Sequence, residues 1–167
     1  MPWPRSGSGC LDPIMTTHLP AGYRLSTDPA RLDADRVHRW LSEDTYWAGG
    51  RTVDSHRRAV ENSLNFGVYD EASGEQVAYA RILTDLATFA WLCDVYVARP
   101  ARGKGLGTAL VEEIRDHLAP YGLRRIMLAT RDAHGVYAKA GFAPLANPDV
   151  FMVHGENVVS FRADDEG

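Results

Sequence analysis

The sequence predicts an α+β fold: a mixed sheet, antiparallel in its first strands and parallel at its centre, flanked by helices. Three observations predict it. Phe66–Tyr69, Val77–Leu83 and Thr88–Val97 are rich in β-branched and aromatic residues, and the segments joining them are too short for helical crossovers, so they pair antiparallel. Beyond Pro100 a long helical pattern separates Thr88–Val97 from the apolar run Arg124–Thr130, and strand, helix, strand makes a right-handed parallel unit. The 167 residues are 45% apolar and 24% charged, as in an ordinary globular domain and unlike disordered or collagenous chains.

Taken in order, residues 1–21 hold Pro2, Pro4, Pro13 and Pro20 with little periodicity, too little apolar surface to offset the entropy of ordering. They read as a flexible N-terminal tail ahead of a single domain over 22–167, and Met15 is an alternative start. Tyr23–Ser26 is a short strand. Asp28-Pro29 or Asp33 then caps a helix with Leu32, Val37, Trp40 and Leu41 on one face, ending near Asp44. Thr45–Arg51 (TYWAGGR) is a loop, and Thr52 or Asp54 starts a weaker helix with Val53, Val60 and Leu64 inward. The three antiparallel strands follow, turning at Asp70–Gly74 and Thr84–Ala87. A helix over Gly105–Leu118, the strand Arg124–Thr130, a short helix Ala133–Lys139 and terminal strands around Phe142–Leu145 and Val150–Val153 complete the chain.

Eighteen Lys and Arg against 22 Asp and Glu give a formal charge of −4, which argues against a broad footprint for nucleic acid or a membrane surface. No apolar run is long enough to span a bilayer and the first residues lack a secretory pattern, so the expected location is cytoplasmic. Cys10 and Cys93 form neither a CxxC pair nor a zinc spacing, so disulfides and a metal are not expected.

Chemistry concentrates in residues 94–108 (DVYVARPARGKGLGT), a strand running into a glycine-rich turn and then a helix. Backbone without side chains can curl its N–H groups around an anion, and the helix adds the positive end of its dipole. Arg102 and Lys104 supply local positive charge, and a pyrophosphate is the natural ligand. The alternative is a helix entry whose glycines serve packing. A Walker A loop would need Lys-Ser/Thr after its last glycine, where Gly107 is followed directly by Thr108; G-x-G-x-x-G would need glycine at 108.

Arg102, Gly103, Lys104, Gly105, Leu106 and Gly107 match the R/Q-x-x-G-x-G/A turn of the GCN5-related N-acetyltransferases. Downstream, Thr130, Ala133, Val136, Tyr137, Gly141 and Phe142 are similar to the N-x-x-A-x-x-L-Y-x-x-x-G-F run of the same family, with Thr130 in place of asparagine. The chain thus resembles that family from about Gly22 to Val153. The resemblance implies a sheet whose two parallel strands splay apart around acetyl-CoA. The pyrophosphate would take backbone N–H groups from Arg102 to Thr108, and the pantetheine arm would pair with the backbone of Val95 and Val97, with Thr130 near it. It also implies direct attack by an amine of a small molecule or a protein, and it is compatible with a homodimer. A non-catalytic acyl-CoA-binding module is the alternative from another class.

Tyr137 is the candidate donor to the departing thiolate; its alternative is a core tyrosine. Asp94, an acid among apolar strand residues, is the candidate base or amine anchor, with a structural hydrogen bond as its rival. Cys93 reads as a small hydrophobe before a nucleophile. Asp132 and His134 lie close to the expected chemistry, Asp132 equally as a helix cap. Tyr46 and Trp47 are candidate walls of the acceptor site or core residues, and Asp85 with Asp94 would draw a cationic amine if the two converge.

Overall fold

The structure, a computed structural model, describes residues 18–155. The chain runs β1 (Tyr23–Ser26), α1 (Ala34–Asp44), α2 (Val53–Glu61), β2 (Leu64–Asp70), β3 (Gln76–Thr84), β4 (Phe89–Val97), α3 (Leu106–Leu118), β5 (Arg125–Met127) and α4 (His134–Lys139). Short 3-10 turns stand at Arg99–Ala101, Ala119–Tyr121 and Pro148–Val150. The sheet order is β1-β2-β3-β4-β5, antiparallel up to β4 and parallel between β4 and β5.

Helix ends follow local chemistry. The Asp33 carboxylate accepts from the Arg36 N–H and starts α1, and the Thr52 hydroxyl accepts from the Ser55 N–H and starts α2. The two sheet faces carry separate cores. Phe66, Val68, Ala78, Ala80, Ile82, Ala90 and Leu92 meet Leu106, Leu110 and Ile114 of α3. On the other face Tyr79 and Tyr96 meet Val37 and Leu41 of α1, and Trp40 stacks on Tyr96 with ring centroids 5.3 Å apart.

Several expectations are corrected. Leu64 opens β2 and Val53 is exposed, so the α2 residue that enters the interior is His56. The last strand is shorter than Arg124–Thr130, and residues 142–145 and 150–153 form no strands. Pro144 and Pro148 each remove a backbone donor from that stretch, and Asn147-Pro148 turns the chain. The parallel pair therefore lies at the edge of the described sheet instead of its centre. Residues 1–17, including Cys10 and Met15, lie outside the described residues. The remainder of the expected tail is docked: the His18 N–H donates to Glu113 at 2.6 Å, and Leu19 packs on the α3-side core. No described helix is long and apolar enough to cross a membrane.

Candidate active site

Strand β4 shapes the site. Between the Tyr79↔Tyr96 and Arg81↔Cys93 pairs β4 advances three residues while β3 advances two, a β-bulge. Asp94 sits in it with φ of +54°, a left-handed conformation that Asp tolerates better than most residues. The bulge reverses the alternation of side chains. Ala90 and Leu92 before it, and Val95 and Val97 after it, face α3, whereas Asp94 and Tyr96 face α1 and its loop. Pairing with β5 ends at Trp91↔Met127, so beyond Trp91 the two parallel strands part and one backbone edge of β4 is open among the described residues. The Val97 carbonyl is the exception, because it accepts from the Arg102 guanidinium at 2.9 Å.

The glycine turn lies at the end of this strand. Gly103 and Gly105 have φ of +79° and +78°, and a Cβ built at either would meet no atom within 4 Å. Their glycine requirement is therefore conformational, and the space above them is open. Gly105 is the N-cap of α3, leaving the N–H groups of Leu106, Gly107 and Thr108 at the positive end of a 13-residue helix. Leu106 itself is buried, so it can offer only its backbone. Lys104 donates to the Tyr23 hydroxyl at 3.1 Å. Arg102 lies over the Tyr96 ring and donates to Asp44, which also binds Arg99 and the Tyr96 hydroxyl. The Arg99 and Tyr96 contacts hold the Asp44 carboxyl well below its ordinary range. The open cradle and the helix end fit a pyrophosphate.

Near Cys93, at the start of the open edge of β4, stands Tyr137 of α4, half-buried and edge-on to Phe142. Burial pushes its phenol up to about 12, with smaller contributions from the neighbouring Tyr46, Asp132 and Cys93, so the hydroxyl stays protonated. Burial likewise lifts the Cys93 thiol to about 11, which keeps it from being a thiolate at neutral pH. The Thr130 hydroxyl accepts from the Ala133 N–H at 3.1 Å and shapes the entry to α4. Asp132 and His134 are exposed at that entry.

Asp94 is 5% exposed and is held by two arginines. Arg51 donates to both carboxylate oxygens, at 2.6 and 3.0 Å, and Arg81 donates through Nε at 2.7 Å. Burial alone would raise its pKa, but the Arg51 hydrogen bonds and the Arg81 charge outweigh it and leave the carboxyl below its ordinary range. This geometry runs against the expected base or amine anchor: a carboxylate saturated by two guanidiniums has little affinity for a further proton or cation. Asp85 does not join it. Its carboxylate accepts from the N–H groups of Ala87, Thr88 and Phe89 within its own turn, and about 16 Å of strand separates that turn from Asp94. Tyr46 and Trp47 are 46% and 44% exposed, which places them at the surface. The Tyr46 ring carries the Arg131 guanidinium at 4.2 Å and its hydroxyl accepts from the Arg131 N–H.

Arg51, Arg81 and Asp44 were not singled out by the sequence. A charged residue at Arg81, inside the apolar alternation of β3, was the available signal. His56 was missed as well. It is 1% exposed, its ring lies 5.4 Å from that of His38, and neither ring nitrogen has a hydrogen-bond partner among the described residues.

Comparison with known proteins places this arrangement. The sequence model of the Acetyltransferase (GNAT) family matches residues 34–142. A Gibberella zeae protein named "Putative acetyltransferase FG08082" is 33% identical over 135 residues, 70% of this chain and 76% of that protein. A crystal structure from Xanthomonas campestris pv. campestris, described as an acetyltransferase belonging to the GNAT family with that assignment marked putative, is 42% identical with a TM-score of 0.75. The match covers 82% of this chain and 95% of that one. A Mycobacterium tuberculosis protein solved with CoA has a TM-score of 0.61 at 15% identity, covering 72% of each chain, and is similar in fold alone.

Proposed function

The chain belongs to the GNAT acetyltransferase family, and on that footing we propose that it is an N-acetyltransferase passing the acetyl group of acetyl-CoA directly to a primary amine of a small molecule or a protein. One observation carries the reading: the open edge of β4 beyond Trp91 leads from the glycine cradle at one end toward the protonated Tyr137 phenol at the other. Bound acetyl-CoA supplies a thioester carbon and a thiolate leaving group. The chain holds its pyrophosphate with the N–H groups of residues 103–108 and the α3 dipole, the expected Arg102 N–H being already donated to the Arg99 carbonyl at 3.2 Å, and Lys104 and Arg102 add charge at the rim. The β4 backbone at Val95, and Thr130 beside the cleft, are suited to the pantetheine arm; Val97 shares its carbonyl with Arg102.

Tyr137 is the donor to the sulfur. Its pKa near 12 keeps the proton on the phenol, which gives the sulfur a hydrogen bond as negative charge develops there, and the thiolate is protonated from solvent. Cys93, kept as a thiol, is a wall of the site, and no acyl-enzyme is invoked. Asp94 organises Arg51 and Arg81, and the acceptor's proton leaves to solvent, since an alkyl ammonium with a pKa of about 10 gives little to a carboxylate held ionised. Tyr46 and Trp47, exposed on the α1–α2 loop, form the acceptor's apolar wall. The homodimer is carried as part of this reading, checked by sedimentation.

The test is release of CoA thiol from acetyl-CoA across a panel of amines and N-terminal peptides, with the acetylated product identified by mass. We expect release with at least one amine class. Release with none would overturn the enzymatic reading.

A further inference from the structure

The cluster around Asp94 is one negative charge short. Two guanidiniums, Arg51 and Arg81, with side chains only 19% and 12% exposed, share a single carboxylate that is 2% exposed. Burying an excess charge is costly unless something pairs with it. Among the described residues, the other neighbours do not supply the missing charge. Arg81 also donates to the neutral Ser63 hydroxyl at 3.1 Å, and Cys93 stays a thiol. His56 is kept toward its neutral form by burial, then by His38 and Arg51, and an imidazole in either form carries no negative charge.

The cluster is also placed where an acceptor would lie. Arg51 ends the loop that carries Tyr46 and Trp47, and Tyr46 is an electrostatic neighbour of the Tyr137 phenol. Arg81 stands opposite Cys93, another neighbour of that phenol, and Asp94 holds both arginines at the bulge where β4 leaves β5. Both side chains keep partial exposure, so neither guanidinium is sealed from a ligand.

We propose that Arg51 and Arg81 form an anion seat in the acceptor site, so that the substrate is an amine bearing its own carboxylate or phosphate a few bonds from the nitrogen. The inference rests on the acetyltransferase reading and names the substrate class within it. The planar fork of arginine suits either oxyanion, because both offer two oxygens at matching spacing. Asp94 takes part of each guanidinium's capacity and fixes both forks, and the substrate anion completes the charge balance. The amine would then point from the arginines toward the thioester end of the cleft. Simple polyamines would meet a positive floor and be disfavoured.

Matched pairs test it: L-alanine against ethylamine, L-phenylalanine against 2-phenylethylamine, and phosphoethanolamine against ethanolamine. The thiol-release assay reads kcat/KM for each. We expect the acid-bearing member to exceed its partner at least tenfold in one pair or more, the carboxylate and phosphate arms telling which anion is used. In Arg51→Gln that preference falls toward unity through a higher KM for the acid-bearing amine, while the KM for acetyl-CoA changes less than threefold. Arg51→Lys, which keeps the charge and loses the fork, gives an intermediate preference and serves if the glutamine variant folds poorly. Equal or better use of the acid-free members by the wild type overturns the inference and leaves the acetyltransferase reading standing. So does a loss in Arg51→Gln that is equal for both members of a pair. Absence of release with every amine, including those of the wider panel, overturns both.

Discussion

A phenol whose pKa is pushed to about 12 by burial holds its proton at every physiological pH, and the role proposed for Tyr137 depends on that. The phenol is a weaker acid than a thiol of pKa about 8.5, so it keeps its proton and gives a hydrogen bond to a thiolate as that departs. An interaction made only as charge develops lowers the barrier without tightening ground-state binding. Tyr137→Phe keeps the ring and its edge contact with Phe142. Its kcat should fall roughly 10- to 1000-fold, the range of one acid–base group, while acetyl-CoA Kd by calorimetry changes less than about threefold. Equal kcat under conditions where chemistry limits the rate would leave Tyr137 a packing residue.

At the scale of elements, the β4 bulge and the start of α3 do separate jobs. The bulge sends Asp94 to the α1 face and is followed by an edge open to a ligand, while α3 ends that path with unpaired N–H groups and a positive dipole. Gly105 joins the two tasks, because its φ of +78° is strained for any residue with a Cβ and the space above it is open. Gly105→Asp would place a negative charge and strain at the anion end of α3. Calorimetry should show acetyl-CoA affinity reduced at least tenfold, about 1.4 kcal/mol. Unchanged affinity in a folded variant would remove the phosphate role from this turn.

Across the whole molecule, one buried and one half-buried histidine shape the response to mild acid. His56 and His117 both have pKa values lowered from 6.5, chiefly by burial, so the unfolded chain takes up protons that the folded one refuses. The unfolded state binds more protons below 6.5, and folding stability must therefore decline as pH falls from 6.5 toward the folded-state values. His18, raised by its hydrogen bond to Asp116, works in the opposite sense, but it is solvent-screened. Because neither ring nitrogen of His56 meets the geometry of a hydrogen bond among the described residues, His56→Leu should cost little at pH 8. Urea unfolding between pH 8 and 5 should show the acid loss reduced, by at most about 1.4 kcal/mol per pH unit for one proton. An unchanged slope would mean that His56 takes up its proton freely in the folded state.

What the sequence determined by itself is what short stretches of backbone decide. The helix starts at Asp28 or Asp33 and at Thr52 or Asp54, between which the structure selects Asp33 and Thr52, the positive-φ glycines 103 and 105, the three antiparallel strands and the helix between β4 and β5 all rest on neighbours in the chain, so their residue types carry the signal. The place of Tyr137 on a short helix ahead of Gly141 and Phe142 was legible from that spacing, while its role stands as a proposal. The terminal strands failed because apolar content alone cannot supply the backbone donors that Pro144 and Pro148 lack, or the partner edge a strand needs. Only the tertiary structure decided the rest. Asp94 looked like a lone buried acid until arginines 43 and 13 residues away reached it, and His56 entered the interior in place of Val53. Which charges share a buried site depends on how α1 and its loop fold over the β4 bulge, and that closeness in space leaves no spacing in the chain to read.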